Sequence, residues 1–348
     1  MIGLIARIAG PSEASIGYAN GMDHKTPAGE FDLIAWIRDR ERNRSSSTGF
    51  TRLGIGDDCA AVIPAAGVEL LVTTDMLMDG RHFRLNEDGG EAVGYKALGV
   101  NISDIAAMAG IPRAAVVAVA LPKSGGVEVA RGLHAGMSQL AERFRIDLIG
   151  GDTNAWDGPL VISVTLFGEA TDRGAVRRSG ARPGDAILVT GPLGGSILGR
   201  HLRPEPRVDE ALALHVAAPL HALIDISDGL SSDLGHILEE SGNLGATLDA
   251  SAIPIHDDAR LLSQRDGRTP LEHALNDGED FELCVVVAPR DADRLIADFA
   301  HSMHLVRVGE ITKEPGLRLR DLDGRVSSLN PGGFDHFRAG PSAPGTAT

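Results

Sequence analysis

Aspartates recur in this chain beside glycine, serine and threonine, the company a hard cation keeps when it is also bound to phosphate. Five segments carry the pattern: Gly56-Asp57-Asp58, Thr73-Thr74-Asp75, Asn101 to Asp104, Gly151-Asp152, and Asp225-Ile226-Ser227-Asp228. Magnesium takes oxygen ligands and is commonly held by one or two carboxylates together with substrate phosphates. Carboxylates gathered in one place repel each other, and a triphosphate, unless divalent ions lie between them. No Cys/His spacing of the kind that holds zinc accompanies them. One such segment alone reads as readily as a cap or a turn. Asp228 ahead of Gly229 suits the N-cap of a following helix, and Asp57-Asp58 suits a turn. Five of them, each expected at the end of an element, point to a metal-bridged phosphate site.

Two other phosphate-binding devices are excluded. No G-x-x-x-x-G-K-[ST] run occurs, so the chain has no P-loop. Gly54-x-Gly56 begins like a dinucleotide fingerprint, but Cys59 stands where the third glycine belongs. Gly191 to Gly195 follows a strand and reads better as a plain turn than as a phosphate loop.

The elements that must position these residues follow from periodicity. Phe31 to Arg40 predicts an amphipathic helix with Phe31, Ile34 and Ile37 on one face. Cys59 to Ile63 and Val68 to Thr74 predict strands around the turn Pro64-Ala65-Ala66-Gly67. Paired as a hairpin, with Ile63 opposite Val68, they would bring Asp58 and Asp75 to one end. Glu91 to Gly110 predicts a helix in which Asn101 and Asp104, three apart, share a face. A strand over Ala114 to Leu121, a helix over Val127 to Phe144, a strand from Ile146 to Ile149 ending in Gly150-Gly151-Asp152, and a strand over Leu160 to Ala170 complete an α+β half. The second half opens on the basic stretch Arg173 to Arg182. It continues with a strand over Ala186 to Thr190, a strand over Leu220 to Ile226, a helix from Gly229 through Glu240, and Asn276-Asp277-Gly278-Glu279-Asp280 ahead of the strand Phe281 to Val287. No repeat of solenoid length is present.

Composition bounds the partners. A formal net charge of -15 disfavours nucleic acid and anionic membrane surfaces. No apolar run approaches the ~18 residues of a membrane span, and the first thirty residues lack the unbroken apolar core of a signal peptide. Two cysteines, Cys59 and Cys284, give no disulfide framework; both read as small core residues in a reducing cytoplasm. Glycine is abundant, 43 of 348 residues against a usual share of about 7%, and its clustering beside aspartate suggests loops that approach a ligand closely.

In order and spacing, GEFDLIAWI, GIGDDCA, TTDMLMDGRHF, YKALGVNISDIAAMAG, LIGGDT, RSGARPGD, IDISDGLSSDLGHI, DGEDFELC and GFDHF resemble the thiamine-monophosphate kinases of the AIR synthetase-like superfamily, over Gly29 to Arg338. The resemblance implies an α+β, two-domain AIR synthetase-like fold. In it, an N-terminal α/β domain with a mixed sheet (29–170) binds ATP and magnesium and dimerises, and a C-terminal α/β domain spans 171–338. Residues 1–28 are expected to be a poorly ordered extension and 339–348 a disordered tail. The resemblance further implies an ATP-dependent phosphotransfer to thiamine monophosphate, direct and in line, with several magnesium ions, in a cytoplasmic homodimer.

By the same resemblance Asp58, Thr73, Thr74, Asp75, Asp104, Asp152, Asp225 and Asp228 are expected metal ligands. Gly151, Asp152, Arg178 and Ser227 are expected nucleotide contacts, and His82, Glu279 and Phe334 contacts to thiamine monophosphate. No residue is expected to act as nucleophile or general base. On the residues alone, His82 also reads as a surface histidine, Phe334 as a residue closing the C-terminal core, and Glu279 as part of a solvated acidic turn. The rival readings are another ATP-dependent synthetase of the superfamily and a nucleotide-binding protein without activity.

Overall fold

The computed structural model describes residues 30–43, 49–56 and 58–332. The expected extension at 1–28, Asp57, Phe334 and the tail at 339–348 lie outside the described residues.

The N-terminal half runs α1 (Glu30–Asn43), β1 (Thr51–Leu53), β2 (Ala61–Val62), β3 (Leu70–Met78), α2 (Leu85–Ala106), β4 (Ile111–Pro122), α3 (Gly126–Phe144), β5 (Asp147–Trp156) and β6 (Val161–Glu169). Its mixed sheet has the order β3-β6-β4-β5, with β4 and β5 parallel and the other pairs antiparallel. Alternation sets the two faces. Leu71 and Leu77 of β3, with Ile162, Val164 and Leu166 of β6, join the core, whereas Leu70, Val72, Met76 and Met78 are exposed. Helices α2 and α3 pack together at backbone contact. A Cβ on Gly94 would stand 2.0 Å from the Leu133 carbonyl oxygen, and one on Gly136 1.9 Å from that of Glu91. Part of the glycine content thus serves helix packing rather than ligand loops.

The C-terminal half runs β7 (Ala186–Val189), α4 (Val208–Ala217), β8 (Leu220–Asp225), α5 (Leu230–Glu240), β9 (Gly245–Asp249), α6 (Asp257–Asp266), α7 (Pro270–Asn276), β10 (Leu283–Val287), α8 (Pro289–Phe299), β11 (Val306–Thr312), β12 (Gly316–Arg320) and β13 (Val326–Ser328). The sheet order is β13-β12-β9-β11-β7-β10-β8, parallel only between β9 and β12. Its central strands are covered on both faces, which is why they read as unbroken apolar runs. In β10, Leu283, Val285 and Val287 enter a core shared with the N-terminal half, and Cys284 and Val286 enter a second core against α5. The fold is the expected α+β arrangement, two large sheets with helices and a two-stranded β1-β2 sheet beside them.

Several local expectations are corrected. The hairpin does not form: β2 pairs with β1, and β3 pairs along nine positions with β6, Asp75 opposite Val164. Pairing with β6 buries Leu71 and Leu77, a larger apolar gain than a short hairpin over the Pro64 turn offers. That pairing also carries β3 to Met78, so Thr73-Thr74-Asp75 lies in mid-strand. Gly150-Gly151-Asp152 likewise lies inside β5, because its parallel pairing with β4 continues to Trp156. Cys284 is a core residue as expected, but Cys59, in the loop between β1 and β2, is exposed.

Candidate active site

Three carboxylates converge where the two halves meet. Thr73 and Asp75 lie on the inner side of β3, Asp104 on the last turn of α2, and Asp225 at the end of β8. The Thr73 hydroxyl donates to Asp104, and the Ser103 hydroxyl donates to Asp225 at 2.6 Å, across the seam. Burial, then the charge of Asp104, pushes Asp75 up to about 7. Burial, then Asp104 again, pushes Asp225 up to about 7 against the opposing effects of Ser103 and Arg178. Asp104 is raised by its own burial, with Thr73 and Arg178 opposing. Asp75 Oδ2 is buried without a hydrogen-bond partner. Beside the trio a cleft of about 560 Å³ opens between Thr73, Asp104, Arg177, Arg178 and Leu223.

From Asp225 the chain continues through Ile226, Ser227 and Asp228 to α5. Asp228 does not cap that helix: the N-cap is Gly229, with no side-chain bond. The reason is Asp233, one turn into α5, whose Oδ2 accepts the N–H groups of both Ser227 and Asp228 at 3.0 Å and so holds the segment from within the helix. Asp228, Asp233 and His236 bring potential ligand atoms within 4.8 Å of one another. The Ser227 carbonyl accepts the Glu279 N–H at 2.7 Å, so the acidic turn after α7 abuts the same segment. Glu279 Oε1 is 2.5 Å from Lys96 Nζ of α2, which also donates to the His82 carbonyl at 2.6 Å.

The structure therefore gathers Thr73, Asp75, Asp104, Arg178, Asp225, Ser227, Asp228, Glu279 and His82 along one seam. It does not bring Thr74, Asp58, Gly151 or Asp152 into the buried trio. Thr74 lies on the exposed side of β3, bonded to Thr165 at 3.0 Å. Asp58 and Asp152 are exposed, Asp152 opposite Ala118 on the far edge strand. Gly151 shares a transverse row with Asp75 through Val164 and Val117, three strands away, or roughly 14 Å at ordinary strand spacing. An apolar cavity of about 110 Å³ adjoins it, lined among others by Ile34, Ile37, His134 and Met137.

The sequence reading missed Lys96, Ser103 and Asp233. Each has a signal in the sequence: a lysine inside an otherwise small and apolar helix, a serine beside Asp104, and an acidic residue within the first turn of α5. Gly191 to Gly195 is the expected turn, not a phosphate loop. Its Gly194 and Gly195 N–H groups are occupied by Asp280 and Asp277 at 2.7 and 3.0 Å.

Two family models match the chain: AIR synthase related protein, N-terminal domain, over residues 56–170, and AIR synthase related protein, C-terminal domain, over residues 182–321. A thiamine-monophosphate kinase of Rhodopirellula baltica is 40% identical over 315 residues, covering 88% of this chain and 97% of that protein. The crystal structure of thiamine-monophosphate kinase from Stenotrophomonas maltophilia K279a superposes with a TM-score of 0.73 at 36% identity, covering 84% of this chain and 96% of that one. AaThiL, solved in complex with AMPPCP and TMP, superposes with a TM-score of 0.69 at 30% identity over 89% of this chain and 97% of its own.

Proposed function

The chain belongs to the thiamine-monophosphate kinase family of AIR synthase related proteins, and from that premise we propose its reaction: transfer of the γ-phosphoryl group of ATP to thiamine monophosphate, giving thiamine diphosphate and ADP. The observation that carries the reading is the buried trio Asp75, Asp104 and Asp225 at the seam, with a carboxylate oxygen left unbonded. A catalyst that moves phosphoryl groups needs such an excess of anionic oxygen only if cations arrive with the nucleotide.

The donor set fits magnesium: hard oxygen ligands, mutually repelling and short of protein cations. Asp75, Asp104 and Asp225, with Thr73 beside them and Asp228 beyond, would hold such ions. Asp58, Thr74 and Asp152 would join only through the nucleotide, since the protein alone does not gather them. When bound, the ions neutralise charge on the phosphate oxygens.

The chain's own residues orient the substrates. Arg178 stands at the mouth of the trio, where a guanidinium matches phosphate oxygens. Gly151 has no room for a side chain, since a Cβ there would stand 2.0 Å from the Val117 carbonyl oxygen of β4, and the apolar cavity it lines suits an aromatic base. Glu279, with a side chain 29% exposed, presents a carboxylate suited to the cationic thiamine end, and the His82 backbone carbonyl shares Lys96 with it. Phe334, outside the described residues, would stack on an aromatic ring of the substrate. The acceptor is a phosphate monoester, already anionic near neutral pH, so no general base is required.

We further propose a homodimer, formed through the exposed apolar side of β3. Leu70, Val72, Met76 and Met78 are 42–59% exposed there, a stripe that an isolated protomer leaves in water. Among the described residues no helix is long and apolar enough to cross a membrane; a cytoplasmic site of action accords with the cofactor chemistry and the two free thiols.

Purified protein given ATP, magnesium and thiamine monophosphate should release ADP and thiamine diphosphate, and excess EDTA should abolish this. Turnover of thiamine or an aminoimidazole precursor instead would favour another member of the superfamily. ADP release unaffected by EDTA would sink the metal-bridged reading.

A further inference from the structure

We infer that Lys96 is a positioning residue that sets the orientation of Glu279 across the seam, and so governs recognition of the cationic end of the substrate rather than phosphoryl transfer. The inference rests on the assignment of Glu279 to the substrate. Lys96 is fully buried, in the middle of α2. Its ammonium reaches two segments at once: Glu279 Oε1 at 2.5 Å and the His82 carbonyl at 2.6 Å. A buried ammonium is retained only where its donors are filled, and here both acceptors come from segments that line the same end of the site.

The turn bearing Glu279 is under backbone strain. Glu279 and Phe281 have φ of 62° and 53°, a region bulky side chains avoid. Several contacts over-determine it. Glu279 N–H donates to Ser227 O and Phe281 N–H to Ile226 O, while Ser196 Oγ donates to Gly278 O. Asp277 and Asp280 accept Gly195 and Gly194 N–H groups and pair with Arg268 and Arg200. All of those partners belong to the C-terminal half. Among the described residues the ion pair of Glu279 is the contact of this turn that crosses to the N-terminal half.

The helix explains why the crossing is where it is. Lys96 and Ser103 are seven residues apart, on one face of α2 and roughly 10 Å apart along its axis. Ser103 holds Asp225 and Lys96 holds Glu279. One rigid element thereby fixes the spacing between the phosphate end and the cationic end of the site.

The test uses Lys96→Met, Glu279→Gln and the double variant. In the free protein, amide exchange at 277–281 should quicken about tenfold or more in either single variant, with the rest of the chain unchanged. With substrates, Lys96→Met should raise KM for thiamine monophosphate about tenfold while kcat falls by less than about threefold, and KM for ATP should hold. In the Glu279→Gln background, Lys96→Met should add almost nothing. Unchanged exchange in Glu279→Gln overturns the inference even if Lys96→Met does not fold. Additive effects on KM, or a loss confined to kcat, also overturn it. A wild-type protein that ignores thiamine monophosphate would instead sink the proposed reaction, and the exchange measurement would still judge the Lys96–Glu279 contact.

Discussion

Two carboxylate-rich regions of this molecule are treated in opposite ways. In the turn after α7, every acid has its own cation or donors. Glu282 takes two bonds from Arg207, at 2.6 and 2.9 Å, plus the Thr190 hydroxyl; Asp280 takes Arg200 and Gly194 N–H; Asp277 takes Arg268 and Gly195 N–H; Glu279 takes Lys96. At the seam, Asp75, Asp104 and Asp225 have hydroxyls from Thr73 and Ser103, the more distant charge of Arg178, and among the described residues no ion pair. Burial is comparable, so compensation is what differs. On the proposed reading the region neutralised from within is scaffold, whereas the one left without a protein cation is shaped for cations that come with the nucleotide.

The sharpest break of that contrast is Arg207→Met. It strands the buried Glu282 and should cost about 3–5 kcal/mol of stability, read as a fall in melting temperature or denaturant midpoint. A loss under about 1 kcal/mol would mean the turn is not held by its internal pairs.

Asp75→Asn is the counterpart at the seam. It removes an anionic ligand while keeping shape, so kcat should fall roughly 10²-fold. The metal-free protein should melt no lower, and higher if repulsion with Asp104 is relieved. Full kcat at the same magnesium concentration would make the trio structural.

A milder probe is pH. Asp75 and Asp225, at about 7, lie above the unfolded carboxylate value of about 3.9, so between these values the native state binds more protons than the unfolded state. The stability these groups give the metal-free protein should therefore be fully present below about pH 4 and be lost progressively as pH rises to about 7. Magnesium should reduce the decline by replacing the protons. Thermal melts across pH with EDTA and with magnesium read both. Asp233 and Asp280, which burial pushes up to about 8 and about 7, act in the same direction, so the magnesium-dependent part of the decline reports the seam. A metal-free protein that gains stability from pH 5 to 8 would contradict the burial of all four acids.

The smallest effect on the fold belongs outside both regions. Met76→Lys on the exposed side of β3 should leave protomer stability within about 0.5 kcal/mol. It should shift the protein toward monomer in sedimentation or light scattering. An unchanged assembly would move the interface elsewhere.

Periodicity and motif order were enough to place most elements. The helices over α2, α3 and α5 and the strands β4, β6, β7, β8 and β10 follow from local patterns, because either a periodic apolar face or an unbroken apolar run lies within a single segment. The aspartates that meet at the seam were equally visible as candidates, since their residue type and their Gly, Ser and Thr neighbours stand out in the sequence. Pairing was not. Whether β3 joins β2 or β6 depends on what covers Leu71 and Leu77, and those partners lie almost a hundred residues away. The same limit applies to the site. Ser103 beside Asp104 gives no hint that it bonds Asp225, and Lys96 gives none that it bonds Glu279; both contacts exist only because α2 lies along the seam. Asp233, rather than Asp228, secures the segment before α5, because the helix brings its first-turn carboxylate under the N–H groups of Ser227 and Asp228. The amino-acid sequence by itself determined which residues have the chemistry to be candidates for metal and phosphate. Tertiary structure decided which carboxylates are left without a cation, since charge compensation depends on distance in space and not on position along the chain.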